Sequence, residues 1–314
     1  PPRSTLFPYT TLFRSYIFGY SRNKKKKELN MKNRAIHLFI FLVIACGIAV
    51  GQYKEGNRIV TLSKYYLKPW RTVEDGDWKE REKLFDENSK KMNQRDNLLV
   101  SCNILYHYLS GKSNEVLVLD EWNSITDADE SIKTRGDRRK KGWPTKKTRE
   151  EFQKKVGKYW AGGHTDVGNY ELETKMLKRR KKKMKENTIV VIQEFTLAPM
   201  STIEGGSGEE RDKVMQEWFD KVVMKDDRVL SHMMLNHYWS GSGGVDGWPV
   251  LIVTEFASMD ELLDEDLSKL LEAGWPDEKE RKAFQSKHRA YWSQYTHEDI
   301  GIYYNNVKQQ KNPK

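Results

Sequence analysis

Apolar residues fall along the chain in a pattern that occurs twice. Alternating, β-branched runs predict a first strand at Arg58–Tyr66 and again at Thr188–Thr196, each stopped by a proline, Pro69 and Pro199. An amphipathic helix follows. It is clearest in the second occurrence, where Val214, Trp218, Phe219, Val222 and Val223 share one face. Two strands come next, Ser101–Leu109 with Glu115–Trp122, and Ser231–Trp239 with Pro249–Phe256. A longer helical region begins near Ser124 and near Ser258. It breaks at Gly142-Trp143-Pro144 and Gly274-Trp275-Pro276, then resumes to Trp160 and Trp292. Asp277, with Glu280 three residues on, predicts an N-terminal cap for the resumed helix. Closing strands are predicted at Asp166–Leu172 and Asp299–Val307.

The two occurrences are copies of one unit. Asp96–Gly111 aligns without gaps on Asp226–Gly241, with seven of sixteen positions identical. Gly142–Trp160 aligns on Gly274–Trp292 with ten of nineteen identical, and His164-x-Asp166 corresponds to His297-x-Asp299. A unit this long, present twice, is not a solenoid repeat. Its order, β-α-β-β-α-β, is the split βαβ or ferredoxin-like arrangement. Such a sheet has helices on one face only and must cover the other, which a second copy can do. The predicted segments are 1–30 as untranslated flank, 31–51 as a signal peptide, 52–174 and 188–314 as the two repeats, and 175–187 as a basic linker.

Over 58–307 the chain resembles a tandem dimeric α+β barrel protein, on element order, unit length and paired strands. That superfamily includes stress-responsive barrel proteins, cofactor-independent monooxygenases of antibiotic biosynthesis and haem-binding members. The resemblance implies an α+β fold of two ferredoxin-like repeats, their sheets packed face to face as an intramolecular barrel. No family-specific catalytic motif is met, so no functional residue is carried across.

Charge changes this picture less than its total suggests. The chain has 55 Lys and Arg against 45 Asp and Glu, a net +10. Nine of those basic residues and a single acid lie before Gln52, so the remainder carries +2. Bulk charge therefore does not support a dedicated nucleic-acid binder. Thr5–Ser15, TLFPYTTLFRS, resembles the in-frame translation of a widely used sequencing adapter, and the Lys24–Lys27 run beside it is discounted with it. From Met31, two basic residues, an apolar run over Ala35–Val50 and small residues at Ala49 and Gly51 give the layout of a secretory signal. Val43-Ile44-Ala45-Cys46 resembles a lipobox, so lipidation at Cys46 is the alternative processing route. Either way the expectation is an exported protein, secreted or periplasmic, or lipid-anchored in a bacterial envelope. The membrane enters only through that leader. Cys102 is then the one cysteine beyond the leader, which excludes an intramolecular disulfide. The linker Lys175–Lys185 carries eight basic residues in eleven and reads as a solvated connector, with contact to anionic lipid or polysaccharide as the alternative.

Candidate chemistry rests on histidines that recur in both copies. Period two sets His107 and His237 at equivalent strand positions. Hairpins centred on Asn114 and Asp246 would set them opposite Glu121 and Glu255. A carboxylate beside an imidazole raises its basicity and fixes its tautomer, giving either a general base or a satisfied polar pair. His164 with Asp166, and His297 with Asp299, share a strand face and offer two groups per copy, fewer than a metal normally takes. No cofactor is expected from motifs; a metal, or haem held through one histidine, stays an alternative. Trp239 stands in the second copy where the first has Leu109, and aromatic residues on a barrel face suit a flat apolar ligand. Three functional readings follow: an exported barrel binding a small, partly apolar ligand between the repeats; a cofactor-independent oxygenase or isomerase using His107 or His237 as base; and an interaction module with no interior site. Whether the chain acts as a monomer or a homo-oligomer is left open.

Overall fold

Alternation of buried and open positions makes the strands one-sided ribbons, and eight of them close on each other. In the computed structural model the described residues are 58–109, 112–238, 247–264, 267–293 and 298–313, without the side chains of Glu298 and Asp299. The first repeat supplies β1 (Arg58–Leu67), β2 (Leu99–His107), β3 (Glu115–Trp122) and β4 (Trp160–Leu172). The second supplies β5 (Thr188–Leu197), β6 (Val229–His237), β7 (Trp248–Phe256) and β8 (Glu298–Asn305). Around the closed barrel the order is β1-β3-β2-β8-β5-β7-β6-β4, and every pairing is antiparallel. Each repeat keeps its four strands together, and the repeats meet at two seams, β2 with β8 and β4 with β6. Closure removes the sheet edges that a single repeat would expose.

The helices cover the outside. In the first repeat they are α1 (Trp78–Lys91), α2 (Ile125–Gly142) and α3 (Lys146–Gly157); in the second, α4 (Gly208–Trp218), α5 (Met259–Leu263), α6 (Leu267–Gly274) and α7 (Glu278–Ala290). Side-chain oxygens of Asp77, Ser124, Thr145, Ser207, Ser258 and Asp277 accept from backbone N–H groups of the turns they start, satisfying donors that have no partner within the helix. The repeated Gly-Trp-Pro marks a helix junction. Trp143 Nε1 donates to Glu87 Oε1, and Trp275 Nε1 to Glu217 Oε1, both at 2.9 Å. Each indole stacks on the phenylalanine of the next helix, Phe152 or Phe284.

Thirteen residues from all eight strands fill the barrel interior, among them Val60, Leu105, Leu119, Leu172, Ile192, Leu235, Leu251 and Tyr303. An eight-stranded barrel is just wide enough for side chains to fill. This corrects the expectation of a ligand between the repeats: aliphatic side chains occupy that space.

Each repeat's tail straps the other repeat. After β4, Lys178 N donates to His232 O and His232 N to Lys178 O, both at 3.0 Å. After β8, Lys311 makes the same pair of bonds with Cys102, again at 3.0 Å. The lysine side chains match too, Lys178 Nζ donating to the Asp226 carbonyl and Lys311 Nζ to the Asp96 carbonyl. The segment read as a solvated connector is therefore structural at its centre, because its basic residues meet buried acceptors. Arg179 binds Glu121, and Arg180 binds Glu255 at 3.2 Å.

Candidate functional site

Position 102 of β2 and position 232 of β6 are equivalent, and both face the helices. In the first repeat the residue is Cys102, opposite Asp120; in the second it is His232, opposite Thr254. His232 Nδ1 lies 3.0 Å from Thr254 Oγ1. The same kind of replacement recurs around it. The alignment sets Trp218 against Asn88, Phe219 against Ser89, His288 against Val156 and Arg289 against Gly157.

In the second repeat these replacements border an open space. In the first, Phe85 stacks on Trp160, with ring centroids 4.9 Å apart. The C-terminal strap adds Gln309, which accepts from Tyr106 Oη at 2.6 Å and donates to Asp86 Oδ1 at 2.7 Å. In the second, Met215 and Met176 stand in for Phe85 and Gln309, and a cavity of about 330 Å³ opens between sheet and helices. Phe195, His232, Met234 and Ile252 form its floor, Met215, Trp218, Phe219 and Val223 one wall, and His288, Arg289 and Trp292 the other. Past α4 the helix widens into a π turn over Phe219–Val223, with Met224 N donating to Phe219 O at 2.8 Å. Such single turns recur at functional sites, and this one carries Phe219 and Val223 to the cavity.

Both histidines of the cavity are neutral. Burial pushes His288 down to about 4, and burial with the nearby Lys178 charge does the same to His232. Trp292 Nε1 donates to His288 Nε2 at 3.4 Å, which sets the His288 proton on Nδ1. Trp218 stacks on His288 with ring centroids 4.5 Å apart. The site is thus an aromatic slot with two uncharged imidazoles, suited to a flat apolar molecule carrying a hydrogen-bonding group.

The residues singled out from sequence lie elsewhere. The hairpin register pairs Ser101 with Glu121 and Ser231 with Glu255, so His107 is not opposite Glu121, nor His237 opposite Glu255. Both hairpin axes lie three residues earlier than expected. His107 sits opposite Tyr303 and His237 opposite Tyr170, at the two seams between repeats. Glu121 and Glu255 face the other end of the barrel. Ser101 Oγ donates to Glu121 at 2.6 Å and Ser231 Oγ to Glu255 at 2.9 Å. Arg58 also donates to Glu121, at 2.8 Å. Burial would raise the Glu121 carboxyl, but the Arg179, Ser101 and Arg58 donors outweigh it and hold the group below its ordinary value. His164 Nε2 and Asp166 Oδ1 do meet, at 3.2 Å, on an exposed part of β4. Among the described residues no three His, Cys, Asp or Glu side chains converge as metal ligands, and no helix is long and apolar enough to cross a membrane. Trp239, His297, the Asp299 side chain and the leader with Cys46 lie outside the described residues.

Comparison with known proteins adds resemblance at low identity. No family model and no curated protein matches the chain. Among solved structures it is similar to a candidate monooxygenase of Lactobacillus acidophilus (7% identity, 82% of this chain and 96% of that one, TM-score 0.46). It is similar also to a candidate monooxygenase of Fusobacterium nucleatum (9%, 82% and 95%, 0.45). A third is chlorite dismutase from Candidatus Nitrospira defluvii, in complex with imidazole (11%, 82% and 95%, 0.45). The fold assignment rests on the strand order described above.

Proposed function

We propose that the chain is a small-molecule-binding protein whose second repeat holds a flat, largely apolar ligand between its sheet and its helices. One observation carries this reading: the two repeats share their scaffold and differ where the cavity lies. Packing alone gives no reason for the second repeat to replace a stacked Phe–Trp pair and a bonded glutamine with an open slot lined by aromatic and methionine side chains. Interiors are close-packed, and a void forfeits the contacts its lining would make.

Binding is favoured over catalysis by the protonation of the histidines. A general base works best with a pKa near the operating pH. His232 and His288, held at about 4, are poor bases at neutral pH and good neutral hydrogen-bonding partners. The oxygenase-type alternative would need His107 or His237 to meet a substrate, and neither lines the cavity. Were haem the ligand, it would need an imidazole nitrogen not already engaged by the protein. His288 Nε2 is engaged by Trp292 and His232 Nδ1 by Thr254, so His232 Nε2 would hold it. Within the same proposal the protein is exported, a reading supported by the Met31–Gly51 pattern alone.

Trp218 and Trp292 make the test direct. Titrating the full chain with anthraquinone-2-carboxamide, a flat neutral probe, quenches tryptophan fluorescence saturably. Met215→Trp, which fills the slot, weakens binding at least ten-fold. Equal affinity in the filled variant contradicts the proposal. Haem added in parallel gives a perturbed Soret band, lost in His232→Ala, if iron ligation is the use of the site.

A further inference from the structure

We propose that the helical face of the first repeat docks on an anionic phospholipid bilayer, through an electrostatic contact separate from the ligand slot. Charge divides the two repeats here. Residues 133–158, from the middle of α2 through α3, carry twelve Lys and Arg against three acids, a net +9. The corresponding stretch of the second repeat, 265–290, carries six of each. Residues 52–314 together sum to +2, so the part of them outside 133–158 sums to −7 and the excess is local. The Gly-Trp-Pro junction concentrates it. Lys90 and Lys91 end α1, Lys140 and Lys141 precede Gly142, and Lys146 and Lys147 open α3. A Cβ added to Gly142 would lie 3.2 Å from Lys91 Cβ, which places the end of α1 against the junction. All six lysines but Lys91 are exposed. At the same junction of the second repeat the six positions are Asp220, Lys221, Glu272, Ala273, Glu278 and Lys279. Lys140 pairs with Asp137 and Lys146 with Glu150, acids that the +9 already includes.

Folding does not ask for this arrangement. Arg135 and Arg139 lie one turn apart on α2, and like charges at that spacing weaken a helix. Burial and the Arg135 charge hold the Arg139 guanidinium below its ordinary value. Lys146 and Lys147 occupy the first turn of α3, where the helix dipole favours acids and none is present. The equivalent α7 has Glu278 and Glu280 there. What accompanies the charge favours a bilayer among anionic partners. Lysines are hydrated point charges, suited to a field spread over many headgroups. Ile132, 70% exposed, shares a stripe of α2 with Arg135 and Arg139, and an aliphatic side chain there can enter the headgroup layer. The aromatic residues of the segment, Trp143 and Phe152, are buried, so the bases of a nucleic acid would find neither to stack on.

The test sediments the full chain with vesicles of phosphatidylcholine alone and with vesicles containing one third phosphatidylglycerol. The apolar run Ala35–Val50 meets both vesicles, so the readout is the ratio of the two partition coefficients. The wild type is expected to favour the anionic vesicle at least ten-fold in about 50 mM salt, and less as salt rises. Combining Lys140→Gln, Lys141→Gln, Lys146→Gln and Lys147→Gln is expected to remove most of that preference. Ile132→Ser lowers partition into the anionic vesicle about three-fold. Neutralising four exposed lysines of the second repeat, with Lys213→Gln, Lys225→Gln, Lys279→Gln and Lys282→Gln, leaves the ratio within about two-fold of the wild type. A wild-type ratio near one, or equal losses in the two four-lysine variants, overturns the proposal. So does duplex DNA binding that the first variant loses, in a protein with no preference for the anionic vesicle, since the face would then serve nucleic acid.

Discussion

His232 and His288 must stay uncharged for the second repeat to fold as it does, which ties stability to pH. Each is held at about 4 against an ordinary value of 6.5, so the unfolded chain takes up protons below pH 6.5 before the folded one does. Their contribution is complete above pH 6.5 and is lost as pH falls towards 4. His288→Val, the residue of the first repeat, should flatten that slope by on the order of 2 kcal/mol over the interval. Asp120, which burial pushes up to about 6, works in the opposite direction. The informative readout is therefore the difference between variant and wild-type urea midpoints at pH 7 and pH 4.5. An unchanged difference would mean that His288 ionises freely in the fold. The same two histidines explain why the site was hard to read from sequence. Residues retained in both copies stand out first, and His107 and His237 sit at equivalent seams. Retention between copies marks what the shared scaffold needs. The slot lies where the copies diverge, at His232 against Cys102, Trp218 against Asn88 and His288 against Val156. That divergence is visible in the alignment, but nothing in it says that the three positions face one space.

At the scale of elements, periodicity was a good guide, since strand alternation and helix caps are local. Arg58–Tyr66 became Arg58–Leu67, and the helices start after Ser124, Ser258 and Asp277 and break at Gly142 and Gly274. Register and straps are not local, and the alternation of residues along one strand does not set them. A three-residue shift in each hairpin moved Glu121 and Glu255 away from the histidines and onto Ser101 and Ser231. The basic linker looked solvated because its acceptors come from distant strands. These arginine–glutamate contacts bolt the strap to both repeats, and their loss should be unequal. Arg180 and Glu255 are almost fully buried, with side chains 7% and 5% exposed. Glu255→Gln should cost about 3–5 kcal/mol, the range for breaking a buried pair. Glu121→Gln should cost about 2–3 kcal/mol, because its partners Arg58 and Arg179 are roughly one-third exposed and regain water. Denaturant unfolding of the two variants checks the order, and a larger loss for Glu121→Gln would contradict it.

Over the whole molecule, one duplication yields two tasks. The shared parts, the barrel wall, the Trp–Glu helix junctions and the crossed straps, make a closed body whose interior is filled. The first repeat completes its outer layer with Phe85, Trp160 and Gln309, and the second leaves that layer open. The central claim is that this opening, rather than the barrel interior, is where a ligand goes. A crystal structure of the full chain soaked with anthraquinone-2-carboxamide tests it most directly. Probe density stacked against Trp218 and Trp292 is the result expected here; density inside the barrel, or in the first repeat beside Phe85, would contradict it.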